Sequence, residues 1–315
     1  MQFFPASAQP GSPNVAAFFE KMTGSWQYVA WCPETKNAVI IDPVLDFDPA
    51  AGATWTYSAD ELIAYCAREE LNVEWVLDTH PHADHFSSAH YIKQALGGAP
   101  KQAIGKLVLR VQEIWSDMYA NDSLQSHDEF WDQLFEPGDS FKVGNCTIDV
   151  TLSTGHTLAS ITYTMGDAVF AHDTFMVPDS GSSRCDFPGG SSAEMWDTLQ
   201  AILAMPAETR VFVGHDYCKG GRQEACMATV AEHKASNIHV KDGISREEFI
   251  TTRDTRDATL PLPARMLYAL QVNIRGGRLP DADAKGRAVL SVPLNRFSSK
   301  LAKAFEADAA VKAAE

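Results

Sequence analysis

The amino-acid sequence predicts an α/β fold in which one large layered domain contains most of the chain. Patterns typical of strands alternate with patterns typical of helices in both halves of the sequence, and polar clusters follow several predicted strands. The 315 residues, 45% of them hydrophobic, supply enough apolar side chains for one large core. We expect a domain over residues 1–240 and an extension over residues 241–315 that packs on it.

The net charge limits the classes of partner. The chain has 26 basic and 41 acidic residues and a net charge of −15, which opposes long-range attraction to nucleic acid and to anionic membranes. No segment is apolar enough over a sufficient length to span a bilayer. The first twenty residues lack the basic start and the unbroken apolar run of a signal peptide. An anionic substrate would therefore need a local group of cations.

The six cysteines are scattered and form no CxxC pair. In a chain of this length, that spacing favours free thiols in a reducing compartment. We therefore expect a cytoplasmic protein.

The first half of the chain opens with two short β-rich runs separated by a turn-forming stretch, which predicts a pair of strands. A capping-box pattern over Ser58–Glu61 predicts the start of a helix that runs to about residue 71. Gly97 and Gly98 end a later helical pattern, and an amphipathic helix follows. The predicted strands are residues 25–32, 38–42 and 73–77, and the two later helices are residues 85–95 and 107–119.

From Pro137 onward, turn signals separate several short β-rich segments before the helical patterns return. After about residue 238, we expect a short helix and extended pieces that wrap the core. Residues 300–315 are Ala-rich, which favours a terminal helix. The predicted strands are residues 147–152, 160–165, 168–171 and 210–213, and the predicted helices are residues 191–205 and 223–236.

The strongest local signal is the segment from Thr79 to His85, which follows a predicted strand. It places His80, His82, Asp84 and His85 within six residues. Neutral imidazole and carboxylate groups bind first-row transition metals, and a non-helical loop lets such neighbours face one ion or two adjacent ions. This pattern therefore predicts a metal site rather than a run of solvated loop residues.

Three further side chains of the same types follow later strands: His156, Asp173 and His215. Open sheets place ligand sites at the carboxyl ends of their strands, so strands in one sheet would bring these groups together. Each histidine taken alone could be a structural residue. Taken together with the loop at residues 79–85, they favour a metal centre.

This set resembles the metallo-β-lactamase superfamily, in which an HxHxDH loop, a histidine, a bridging aspartate and a last histidine occur in the same order. The resemblance covers about residues 20–240 and implies an αββα sandwich of two mixed β-sheets flanked by helices. It also implies one metal position at His80, His82 and His156, and a second at Asp84, His85 and His215, with Asp173 between them. His90 and His172 match no family ligand, and we expect them to be structural residues or partners of the ligands.

A closer resemblance is to the glyoxalase II and persulfide dioxygenase branch of that superfamily. The segment from Arg184 to Phe187 is similar to the Arg-x-Asp-Phe segment of the branch, and His215-Asp216-Tyr217 is similar to its final HDY. The tail at residues 271–277, with Pro293-Leu294-Asn295, is also similar to bacterial persulfide dioxygenase-like proteins. An extra stretch at residues 101–133 and a longer loop at residues 178–183 depart from the short dioxygenases. The extra stretch could reshape the mouth of the substrate site.

Two reactions compete, because the resemblance implies the same ligand set for both. One Fe(II) per chain, held by His80, His156 and Asp173, would leave positions for a persulfide sulfur and O2. The other members of the set would then surround the iron site as hydrogen-bond partners: His82, Asp84, His85 and His215. Two Zn(II) ions would instead deliver hydroxide to a thioester, lactone or lactam. We favour a mononuclear iron dioxygenase that oxidises glutathione persulfide or a related persulfide, over a glyoxalase II-like hydrolase and over a metal-dependent binding or regulatory protein.

A glutathione-like substrate carries carboxylates, so we look for cations near the metal loops. Arg184, Lys219 and Arg222 are the candidates, and each has a structural alternative: a brace for its loop or a solvated charge. Asp84 and Tyr217 are assigned catalytic roles, although Tyr217 could donate a hydrogen bond to the substrate or only pack. The expected partners are a small thiol or persulfide and O2, without nucleic acid or membrane, and a homodimer stays open.

Overall fold

The computed structural model describes residues 1–121, 124 and 127–297. Within this part of the chain, sixteen strands form two large sheets and one small sheet. The predicted terminal helix at residues 300–315 lies outside the described residues.

The first large sheet has seven strands and is mixed. The four strands at one end of its spatial order run parallel to one another, and the other neighbouring strands are antiparallel. In spatial order, the strands are β1 (Gln2–Phe4), β2 (Asn14–Glu20), β3 (Ser25–Trp31), β4 (Asn37–Ile41), β7 (Asn72–Leu77), β9 (Lys101–Gly105) and β10 (Gln133–Phe135).

The second large sheet has six strands, of which only the β14–β15 pair is parallel. Its strands, in spatial order, are β11 (Ser140–Val143), β12 (Cys146–Leu152), β13 (Ile161–Met165), β14 (Ala168–Phe170), β15 (Arg210–Phe212) and β16 (Met227–Thr229). The small sheet contains β5 (Val44–Asp48), β6 (Ala53–Trp55) and β8 (Phe86–Ser87).

The main core lies between the two large sheets because alternate side chains of each strand point to opposite faces. Val39 and Ile41 on β4 pack in the same cluster as Ile148 and Val150 on β12. Ile40 points the other way, into a second cluster with the first two helices. Helices thus cover the outer faces, which confirms the predicted αββα sandwich.

Seven α-helices surround the sheets in the described part of the chain. Helices α1 and α2 cover the first sheet, and α4 and α5 border the second. Helix α6 contacts α4, while α7 contacts β8 and packs against α3. Their bounds are α1 (Tyr57–Arg68), α2 (Ala89–Ala95), α3 (Val108–Tyr119), α4 (Ser192–Leu203), α5 (Val230–Ser236), α6 (Arg246–Asp257) and α7 (Met266–Asn273).

Several element predictions are wrong, and two helices follow residue 238 instead of one. Ser58 does not cap α1, which begins one residue earlier after Thr56, because the Ser58 hydroxyl donates to Asp46 at 2.6 Å instead. The helix predicted from residue 223 begins only at Val230, where Thr229 and Glu232 form a capping box. The residues just before it form β16, which pairs with β15.

The helix predicted over residues 85–95 is also shorter, because residues 86–87 pair with β5 before α2 begins. The extra stretch at residues 101–133 contributes β9, α3 and the first residue of β10. No helix in the described residues has both the length and the apolar character needed to cross a lipid bilayer.

Candidate metal centre

The HxHxDH loop leaves β7 at the carboxyl edge of the first sheet and is held there by a buried carboxylate. Asp42 accepts hydrogen bonds from the Thr79 backbone N–H at 2.7 Å and from its hydroxyl at 2.8 Å. Because that hydroxyl proton is donated to Asp42, the Thr79 oxygen accepts from Nδ1–H of His80 at 3.0 Å. The Nε2 lone pair of His80 is therefore free to bind a metal.

His80, His156 and Asp173 converge on one point. Asp173 Oδ2 lies 3.8 Å from His80 Nε2 and 3.5 Å from His156 Nε2, and the ligand atoms of all three lie within 4.8 Å of one another. His156 Nδ1–H donates to the Arg184 carbonyl at 2.7 Å, which turns its Nε2 toward the same point. His80 Nε2 is buried and has no hydrogen-bond partner among the described residues. These residues therefore fit a metal ion.

A second group surrounds Asp84, but its members contact one another at hydrogen-bond distance. Asp84 Oδ2 lies 2.8 Å from His215 Nε2 and 2.9 Å from His85 Nδ1. Ser25 donates to the same carboxylate oxygen at 3.0 Å and lies equally close to His215 Nε2. The other nitrogen of His215, Nδ1, lies 2.5 Å from Asp173 Oδ1. Asp173 thus lies between the two groups, as the family resemblance implies.

His82 differs from that resemblance. The structure groups it with Asp84 and His85, and separately with Asp42 and Asp78, but not with His80 and His156. Its Nε2 lies 3.0 Å from Asp42 Oδ1. A buried carboxylate attracts an imidazole strongly, which explains the contact between His82 and Asp42.

Burial and charge act on these groups in opposite directions. Burial lowers the pKa of His80 well below its usual value, which favours the neutral ligand form. Burial also opposes protonation of His215, but the carboxylates of Asp173 and Asp84 outweigh it and raise the pKa of His215 well above its usual range. Both nitrogens of His215 thus lie within hydrogen-bond distance of a carboxylate.

Two glycines allow the backbones to approach closely at this edge. A Cβ on Gly155, whose φ is +131°, would lie 2.5 Å from the Met195 backbone nitrogen. A Cβ on Gly214 would lie 2.4 Å from Asp173 Oδ1. Since real Cβ atoms do not make such contacts, side chains at these positions would push His156 and Asp173 out of place.

A wide pocket of about 890 Å³ opens over the metal centre. Asp84, His156, Asp173 and His215 form its floor, and the ring of Tyr217 stacks on His215 at a centroid distance of 5.9 Å. Loop residues from both sides and α6 complete its wall. They include Met176, Ser182, Arg184, Phe187, Lys219, His239, Arg256 and Leu262.

The three proposed substrate cations differ in availability. Arg184 forms a two-point ion pair with Asp186, at 2.6 and 2.8 Å, and donates to the Pro261 carbonyl. Arg222 does not line the pocket, and all five of its N–H donors contact Asp179, Asp216 or the Gln223 carbonyl. It braces the turn after His215, so the structure gives no support to the prediction that it contacts substrate.

Lys219 lines the pocket and donates to the Asp179 carbonyl at 2.8 Å. Among the described residues, its ammonium makes no ion pair with a carboxylate. Lys219 is therefore the most available of the three cations for an anionic substrate.

The C-terminal extension contacts the HxHxDH loop and the segment that orients His156. The Asn273 amide on α7 donates to the carbonyls of His82 and His85 at 2.7 and 2.8 Å. On α6, Asp257 accepts from the Cys185 N–H, next to the Arg184 carbonyl that orients His156. Sequence reasoning missed these contacts, and it missed Ser25, because a single polar residue in a helix or strand gives no local signal.

The two histidines outside the family pattern stay outside the ligand groups. His172 Nε2 lies 2.8 Å from the Ser153 hydroxyl and 3.2 Å from that of Thr174. Neither His172 nor His90 belongs to a group of described residues that could hold an ion.

The chain is similar to several known proteins. The family model of the metallo-β-lactamase superfamily matches residues 23–215. A β-lactamase hydrolase-like protein of Agrobacterium fabrum is 50% identical over 283 residues, which span 90% of this chain and 65% of that protein. The human mitochondrial persulfide dioxygenase ETHE1 is 24% identical over 82% of this chain and 87% of its own length.

Among solved structures, ETHE1 from Myxococcus xanthus superposes with a TM-score of 0.66 at 28% identity, covering 84% of this chain and 99% of that one. The present chain spans about two thirds of the length of its Agrobacterium relative. The sandwich, the ligand groups at its edge and the family match over residues 23–215 agree with one another. This chain belongs to the metallo-β-lactamase superfamily.

Proposed function

We propose that the protein is a mononuclear non-heme iron dioxygenase that oxidises glutathione persulfide, or a related small persulfide, to sulfite and thiol. The observation that supports this proposal is the convergence of His80, His156 and Asp173, whose ligand atoms lie within 4.8 Å of one another. His215 lies outside this group and contacts carboxylates with both nitrogens, Nδ1 at Asp173 and Nε2 at Asp84.

The spacing of the first group supports the same conclusion. Two ligand atoms that share one ion at about 2.1 Å lie roughly 3.0 to 3.4 Å apart. The 3.5 and 3.8 Å separations around Asp173 Oδ2 are slightly longer than that range, so a small inward shift of the side chains would bring them onto one ion. One ion therefore fits at His80, His156 and Asp173.

Two histidines and one carboxylate with open positions are the ligand set of non-heme Fe(II) oxygenases. When bound there, iron would supply adjacent positions for the persulfide sulfur and O2. The similarity to the human persulfide dioxygenase ETHE1 and to the Myxococcus xanthus ETHE1 structure supports this choice of reaction. The reaction balances as RSSH + O2 + H2O → RSH + SO3²⁻ + 2 H⁺, so the site must also remove protons.

We assign that task to Asp84, which lines the wide pocket. Its Oδ2 receives the contacts from Ser25, His85 and His215, while Oδ1 has no hydrogen bond among the described residues. Burial raises the pKa of Asp84, but His215 and His85 outweigh it and hold that pKa well below its usual value, so Oδ1 would take a proton from the substrate only in passing and hand it on to water. Tyr217, whose ring stacks on His215, is proposed to shape the pocket or to donate a hydrogen bond to the substrate.

The pocket also suits a glutathione-sized substrate. Its volume of about 890 Å³ is at the upper end of ordinary ligand sites. Lys219 would attract a substrate carboxylate in a chain that is otherwise strongly acidic.

Metal analysis together with two activity assays tests the proposal. Protein purified without added metal should contain about one iron and should consume O2 when given glutathione persulfide. Two zinc ions per chain, with thioester hydrolysis that survives iron chelation, would instead establish the glyoxalase II-like alternative. A metal-loaded protein without either activity would favour a binding or regulatory role.

A further inference from the structure

A second, much smaller cavity borders the ring of His156 and is partly open to solvent where its wall is half-buried. It has a volume of about 30 Å³ and is bounded by α3, α7 and the HxHxDH loop. Its walls are mainly apolar and include Pro81, Ala83, Val111, Trp115, Phe187 and Leu270, and the ring of His156 forms one side.

The size of this cavity admits only a very small molecule. A water molecule needs about 10–15 Å³ measured in this way, so 30 Å³ holds a molecule of one or two heavy atoms. The cavity is thus too small for a whole thioester or peptide.

The polar groups on the wall offer a water molecule little hydrogen bonding. The Thr157 hydroxyl already pairs with Ser160 at 2.8 Å, and His156 Nδ1 donates to the Arg184 carbonyl. Buried water needs two to four polar partners, whereas apolar cavities stay dry and take up apolar gases. The lining therefore favours a small apolar molecule over water.

Phe187 separates this cavity from the wide pocket. Its ring meets the His156 ring edge-on at 5.1 Å, and the Arg184 guanidinium covers it at 4.9 Å. Ala83, His156 and Phe187 line both spaces. His156 thus borders both the wide pocket and the small apolar cavity.

We propose that the small cavity is a binding site for dioxygen, held beside His156 and apart from the pocket that takes the persulfide. The inference rests on the proposed function, since that reaction needs O2. Helix α3, which supplies Val111 and Trp115, comes from the extra stretch at residues 101–133. That stretch would therefore serve gas binding rather than the mouth of the substrate site.

Filling the cavity tests this inference. Val111→Phe places a ring in the space, and Ile114→Phe makes the same kind of change on α3 at a residue that does not line it. We expect Val111→Phe to raise KM for O2 roughly fivefold or more, while KM for the persulfide at saturating O2 and the iron content stay unchanged. Ile114→Phe should leave all three quantities unchanged. Val111→Leu, a smaller addition, should shift KM for O2 in the same direction if the phenylalanine variant is unstable.

Xenon provides a readout that does not depend on activity. Crystals of the wild type under xenon pressure should bind the gas between Val111 and His156, and crystals of Val111→Phe should not. Absence of xenon in the wild type, or an unchanged KM for O2 in both Val111 variants, would overturn the inference while O2 uptake itself continued. An iron-loaded wild type that consumes no O2 would refute the proposed function, and the role in O2 binding with it.

Discussion

Asp173 directs its two carboxylate oxygens to different partners: Oδ1 lies 2.5 Å from His215 Nδ1, and Oδ2 faces His80 and His156. If only one ion is bound, the residues around Oδ2 are ligands and His215 is a hydrogen-bond partner. Asp173→Ala and His156→Ala should then remove nearly all iron. His215→Ala should keep most of it, with an affinity lower by about ten- to a hundredfold. Elemental analysis of the three variants, prepared alike, measures the pattern.

The three variants also distinguish one metal from two. Equal loss of metal in His215→Ala, from a wild type that contains two ions, would show that His215 is a ligand. Ser25→Ala is a useful companion, because it removes a contact to Asp84 without changing any ligand-type group. It should leave the metal stoichiometry unchanged.

Asp257 on α6 is predicted to position His156 from a distance. It forms a buried ion pair with Arg253 and accepts from the Cys185 N–H, which fixes the segment whose Arg184 carbonyl holds His156. Asp257→Asn should reduce the free energy of unfolding by about 3 kcal/mol, because it leaves Arg253 buried without its charge partner. It should also weaken iron binding by about tenfold or more. Asp254→Asn, an exposed change on the same helix, is the control and should do neither.

Arg184 and Lys219 should respond differently to the substrate carboxylate. Arg184 is paired with Asp186 and covers Phe187, so Arg184→Ala should lower kcat/KM by a similar factor for glutathione persulfide and for a persulfide without carboxylates. Lys219→Ala should lower kcat/KM about three- to tenfold for the glutathione form only. This expectation replaces the role of carboxylate anchor that the sequence suggests for Arg184. A loss in Arg184→Ala confined to the glutathione form would restore that role.

His233 should make stability depend on pH. Burial lowers its pKa to about 4, and its Nδ1 already accepts from the Asn237 amide. Below pH 6.5 the unfolded chain takes up a proton that the folded protein does not. As the pH falls from about 6.5 to about 4, the contribution of His233 should therefore lower the free energy of unfolding by about 1.4 kcal/mol per pH unit. The difference between wild type and His233→Phe in urea titrations isolates this effect, and a difference that does not vary between pH 7 and 4.5 would contradict it.

Much of the site could be predicted because each ligand-type residue follows a strand, and strands of a layered α/β fold end at a common edge. The same reasoning places His80, His156, Asp173 and His215 together. It fails for Ser58, whose hydroxyl contacts Asp46 on the small sheet instead of capping its helix. Contacts of this kind join residues far apart in sequence, so no local pattern encodes them.

The same limit applies to Ser25 and Asn273. Ser25 opens an apolar strand and Asn273 ends an apolar helix, and neither position looks unusual in the sequence. Their importance comes from their contacts in the fold. Ser25 donates to the Asp84 carboxylate, and Asn273 donates to two carbonyls of the HxHxDH loop.

Because the Asn273 amide on α7 donates to the carbonyls of both His82 and His85, the docking of α7 and the binding of an ion at this loop are linked in one equilibrium. If a bound ion stabilises the docked position of α7, then docking of α7 tightens ion binding by the same free energy. A loaded protein should therefore exchange its α7 amide hydrogens more slowly than an empty one. A ligand that loosens α7, although it binds far from the histidines, would release the ion.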